Sequence, residues 1–112
     1  MPKPVNRPYS QYSRDALMLL GQLIREGRLA RALTTTDLAA RAGISRALLQ
    51  RIERGEPGCT IGAVFETAAI CGVPLIDPDE RYLAAHLASH SEKLALLPKS
   101  VRTSKKGVKD DF

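Results

Sequence analysis

Apolar residues recur at helical spacing along most of the chain. Leu17, Leu20 and Leu23/Ile24 form one stripe, predicting a first helix that starts behind a Ser13 N-cap, carries Asp15 in its first turn and runs to about Ala32. Thr34, Thr35 and Thr36 suit a helix cap better than a helix interior, so a short second helix is expected from Thr35 to Ala42, with Asp37 near its positive end. Gly43 supplies a bend and Ser45 a new N-cap. A third helix is predicted from Arg46 to Arg54, stopped by Gly55, with Glu56-Pro57-Gly58 as a loop. Thr60 caps a fourth, Ile61 to about Cys71, closed by Gly72 and Pro74, with Ile61, Val64, Phe65, Ala68 and Ala69 as its apolar face. Asp77-Pro78 opens a fifth, with Pro78 at its first position, Asp79 and Glu80 in its first turn, and an end at Ser89 or beyond. No stretch alternates with period two, so the class is all-α. Residues 1–12, with Pro2, Pro4 and Pro8, read as an extended arm, 13–97 as the folded domain and 98–112 as a flexible basic tail.

The residues around Gly43 carry a sharper pattern. In a 20-residue window from Thr35 to Arg54, Leu38, Ala42, Ile44, Leu49 and Ile52 stand at positions four, eight, ten, fifteen and eighteen. Ala39 is at position five and Gly43 at nine. Two short helices crossing steeply through a tight turn need a small residue at the crossing, a residue that bends freely at the turn, and apolar anchors at the other five positions. All are present, which predicts a helix-turn-helix unit over 35–54.

Composition narrows the partners. The formal net charge is +5, and a basic balance favours polyanions, nucleic acid before membrane. Much of the excess lies in Lys99, Arg102, Lys105, Lys106 and Lys109, against Asp110 and Asp111, so a DNA-binding face on the main body must be a local patch. Lys3, Arg7 and Arg14 form a second basic group near the start, placed to enter a minor groove. Cys59 and Cys71 are too far apart for a CxxC site and read as small apolar residues. His86 and His90 lie four apart without a supporting metal-ligand cluster. No metal, cofactor or catalytic constellation is expected, and no enzyme activity. No apolar h-region or membrane-spanning run is seen, so a cytoplasmic or nucleoid-associated protein is expected.

The run GQLIREGRLARALTTTDLAARAGISRALLQRIERGEPGCTIGAVFETAAICGVPL, residues 21–75, resembles the lambda-repressor/Cro (Xre) family. The resemblance implies a five-helix DNA-binding domain in which the second and third helices form the DNA-binding unit. Ser45-Arg46-Ala47 then matches the start of the recognition helix, with Gln50 and Arg51 one turn on along the same face. Chemistry suits these positions: Arg46 and Arg51 can bond guanine in bidentate fashion, Gln50 adenine, and Ala47 can meet a thymine methyl. Phosphate contacts are expected from Thr35, Thr36, Ser45 and Arg54, with Arg41 a weaker candidate. The family often has Gln where Thr35 stands, and threonine reaches less far. The resemblance also implies an internal ion pair between Glu53 and Arg28, structural in role.

The segment Tyr82-Leu83-Ala84-Ala85-His86-Leu87 with Leu94-Ala95-Leu96-Leu97 offers more apolar surface than a small domain needs, so a homodimer on a pseudo-palindromic duplex is expected. The ending LLPKSVRTSKKGVKDDF is similar to the ends of HipB-like antitoxins of this family, which pair with HipA-type serine/threonine kinase toxins. That likeness implies an autoregulating antitoxin. A stand-alone phage-type repressor and a mainly protein-binding module are the alternatives.

Overall fold

The computed structural model describes residues 9–101. All regular structure among them is helical: α1 (Gln11–Ala30), α2 (Thr35–Ala42), α3 (Arg46–Glu53), α4 (Ile61–Ile70) and α5 (Glu80–Ala95). The chain divides into two units, the first ending at Pro78 and the second starting at Asp79. α5 lies in the second unit. Lys3, Arg7 and the basic residues from Arg102 onward lie outside the described residues.

In the first unit the core is Ile24, Leu38, Ala39, Leu49, Ile52, Ala68 and Cys71, all buried. Leu20, Leu33, Ile44, Leu48, Val64 and Leu75 are among the partly buried residues that pack around it. α1 contributes Gly21, Ile24 and Arg28 as its buried positions. Leu23, expected in the stripe beside Ile24, is exposed instead. Gly21 lets α1 approach the end of α3 closely: a Cβ there would stand 2.7 Å from the Ile52 carbonyl oxygen. Gly27 does the same beside Cys71, where a Cβ would run into backbone.

Three starts or faces differ from expectation. α1 begins at Gln11, because Ser10 rather than Ser13 is the cap; its hydroxyl accepts from the Ser13 N–H at 3.2 Å. Gln11 and Tyr12 are therefore helical rather than part of the arm, and Asp15 lies beyond the first turn, accepting from Gln11 Nε2 at 2.9 Å. At α5, Asp79 is the N-cap, so Pro78 precedes the cap instead of opening the helix. The third difference is the face of α4. Ile61, Phe65 and Ala69 are exposed, while Thr67, Ala68 and Cys71 are buried. Thr67 is tolerated inside because its hydroxyl donates to the Ala63 and Val64 carbonyls, both at 3.0 Å, leaving a methyl to pack. Burial also pushes the Cys71 thiol above its ordinary pKa, keeping it neutral.

Four helices of this unit end alike. After α2, α3 and α4 the chain turns through Gly43, Gly55 and Gly72, at φ 71°, 77° and 75°. Each glycine N–H, and the N–H after it, bonds back to carbonyls of the last turn, as in a Schellman motif. After α1 the same pair of bonds is made, Ala32 to Leu29 and Leu33 to Arg28, both at 3.0 Å, but the residue at positive φ is Ala32, at 56°.

Candidate nucleic-acid interface

α2 and α3 are oriented by their caps and by one ion pair. Thr34 and Asp37 form a capping box at α2: the Thr34 hydroxyl accepts from the Asp37 N–H at 3.0 Å, and the Asp37 carboxylate accepts from the Thr34 N–H at 3.2 Å. Those bonds from Thr34, backbone first, hold Asp37 below the usual carboxylate range. Thr35 and Thr36 open the helix behind this cap, the first half-buried and the second exposed. Leu38 and Ala39 face the core, and Gly43 sits in an open turn where its φ, not a shortage of space, selects glycine.

Ser45 caps α3 by accepting from the Leu48 N–H at 3.1 Å. The first turn of α3 holds no acid, so the positive end of the helix dipole and Arg46 act together there. Leu49 and Ile52 are buried and Ile44 half-buried. Arg46, Ala47 and Arg51 are exposed, with Gln50 half-buried between them. Helical spacing therefore gathers Arg46, Ala47, Gln50 and Arg51 on the outer side of α3. The side chains of Arg46 and Gln50 make no hydrogen bond or ion pair among the described residues.

Glu53 is turned the other way. Arg28 Nε donates to Glu53 Oε2 at 2.7 Å and a terminal nitrogen donates to Oε1 at 3.1 Å. The remaining terminal nitrogen of Arg28 donates to the Leu33 carbonyl at 3.0 Å. One guanidinium thus links α1, the turn before α2 and the end of α3. Both side chains are at least nine-tenths buried, and the bond to Glu53 raises the Arg28 pKa further. The acid on α3 is thereby neutralised inside the fold, away from the outer face.

One residue of this surface was missed by sequence reasoning, which saw only a loop. Glu56 accepts from Arg51 Nε on one oxygen at 3.1 Å and from Arg54 Nε on the other at 2.9 Å. Arg54 Nη2 lies 2.8 Å from that second oxygen as well. These bonds, Arg54 first, hold the Glu56 carboxyl below its ordinary range. Among the described residues no cluster of three His, Cys, Asp or Glu side chains is placed to hold a metal, and no helix is long and apolar enough to cross a membrane.

A capped helix pair of this geometry, with a buried inner side and a cationic outer side, is a helix-turn-helix. The model of a helix-turn-helix domain family matches residues 19–83, more than half of the chain, and the protein belongs to that family of DNA-binding domains. Neither the curated proteins nor the solved structures gave a match.

Proposed function

We propose that the protein is a sequence-specific transcriptional repressor of the Xre type that reads the major groove with α3. The observation that carries this reading is the outer side of α3. Arg46 and Gln50 are unpaired among the described residues, and the first turn of α3, where Arg46 stands, holds no acid to oppose DNA. In this reading Arg46, Ala47 and Gln50 meet base edges, Arg51 meets a base edge or the phosphate beside it, and Thr35, Thr36, Ser45 and Arg54 meet phosphate. The test is binding to the duplex just upstream of the gene against a scrambled competitor, at two salt concentrations. Arg46→Ala is expected to lose about 1–3 kcal/mol on the cognate duplex, with relaxed preference at one base pair. An equal loss on both duplexes would remove Arg46 from base reading.

A second protein surface is favoured by α5. Tyr82, Leu87 and Leu94 are each more than half exposed, and Leu83 and Leu97 are also exposed. Burying such residues is favourable at roughly 25 cal/mol per Å². We assign this helix to protein contacts: a homodimer that sets two recognition helices on a pseudo-palindrome, in an antitoxin that also holds a HipA-type kinase toxin. The likeness to antitoxin ends supports the toxin half of this reading. Sedimentation with and without the kinase separates the two contacts. A monomer that ignores the kinase would leave a stand-alone DNA-binding protein.

A further inference from the structure

We propose that Glu56 is an internal competitor for the DNA backbone, holding Arg51 and Arg54 where a phosphate would otherwise hold them. This rests on the DNA-binding reading and adds to it a residue that sets how strongly DNA of any sequence is held.

The contrast along one helix motivates it. Arg46 in the first turn of α3 and Gln50 at its middle carry no partner among the described residues. Arg51 and Arg54, at the trailing end, are both engaged by one carboxylate, each on its own oxygen. Guanidinium groups bond carboxylate and phosphate through the same N–H groups, so the two anions compete for them.

Glu56 is not at this place through a loose side chain. The Gly55 N–H bonds to the Ile52 carbonyl at 3.0 Å and the Glu56 N–H to the Arg51 carbonyl at 3.1 Å. The turn needs glycine twice over: φ is 77°, and a Cβ would stand 2.7 Å from Met18 Cα. Pro57 follows and restricts Glu56 to extended backbone. The helix end itself therefore delivers the carboxylate to the last turn of α3.

The pair is also built to exchange. The Arg51, Arg54 and Glu56 side chains are 44%, 60% and 40% exposed, against 9% and 10% for Arg28 and Glu53. Exposed pairs are weak and screened, so phosphate can replace the carboxylate. While the pair stands, the two cations contribute little field to an approaching duplex. If they swap, the displaced carboxylate is left facing the backbone. Arg46 and Gln50 bear neither penalty, so the base reading that these two carry is spared.

The experiment compares the wild-type chain with Glu56→Gln on a random duplex and on the upstream duplex across a salt series, with thermal melting as the folding control. Glu56→Gln is expected to bind the random duplex about tenfold more tightly at low salt, from the release of two exposed pairs. Its affinity should also fall more steeply with salt, as more counterions are released. The same substitution in an Arg51→Gln, Arg54→Gln background should give a clearly smaller gain, from removal of the carboxylate's own repulsion. A gain of the same size in that background would reflect net charge alone and overturn the proposal. Unchanged or weaker binding by Glu56→Gln would also overturn it, the weaker case showing that Glu56 positions the arginines for DNA. If Glu56→Gln melts early, Glu56→Ala takes its place under the same criteria. Selective binding sensitive to Arg46→Ala, with no Glu56 effect, would sink this inference and leave the DNA-binding reading intact. A chain that binds no duplex with either residue at 56 would sink both.

Discussion

Arg28 makes three bonds to two other segments from a buried position, and its replacement tests the packing of the reading unit directly. Arg28→Met keeps most of the volume but strands the Glu53 carboxylate. Breaking a buried pair from one side typically costs about 3–5 kcal/mol. Denaturant unfolding should show a loss of that order, and a loss below about 1 kcal/mol would mean that Glu53 swings out to water. The pair joins residues far apart in sequence, so no local pattern marks it; only the family likeness pointed to it. Glu56 had no such pointer. Its role depends on a helix end that turns through Gly55 and brings the next residue back over the last turn. The inward anchors Leu38, Leu49 and Ile52 needed neither kind of help, because two short helices at fixed spacing leave them one side to occupy.

At the scale of the element, the four matching helix ends carry one exception. Ala32 adopts the left-handed conformation that glycine takes in the other three. A Cβ in that region costs roughly 1–2 kcal/mol, while glycine adds about 0.4–1 kcal/mol of unfolded-state entropy. Ala32→Gly is therefore expected to stabilise the protein by about 0.5–1 kcal/mol, read as a raised melting temperature; a lowered one would mean that the Ala32 side chain contributes packing. Helix positions were largely legible, since a cap residue opens each one and a glycine closes α2, α3 and α4. The first boundary was not, because Ser10 and Ser13 are both good caps one turn apart. The inner face of α4 was not legible either. That helix is apolar nearly all round, and Thr67 becomes a core residue only once its hydroxyl has found carbonyls of its own helix.

At the scale of the whole molecule, acid should weaken the fold in a defined window. Asp37, Glu56 and Asp79 all titrate below their ordinary values, held by hydrogen bonds from Thr34, from Arg54 and Arg51, and from Arg81. A group whose folded pKa is depressed contributes stability that is present above its unfolded value and lost as the pH falls through the folded one. Stability from these groups should be level above the ordinary values of 3.8 and 4.5, and should decline below them. Melting curves between pH 7 and pH 3 check this, and Asp37→Asn should flatten part of the decline. A decline that begins near neutrality would point to other groups.

The close approach at Gly21 has a consequence for how such a protein changes its target. The end of α3 rests on α1 backbone to backbone, through a notch that side chains do not fill. The tilt of the helix is thus set from behind, independently of what its outer side displays. If residues 46, 47, 50 and 51 read base edges as proposed, they can be rewritten like keys cut on one blank, giving a new preferred duplex from the same scaffold. A protein built this way diversifies its binding sequence by substitution at a few exposed positions, without paying in foldedness each time.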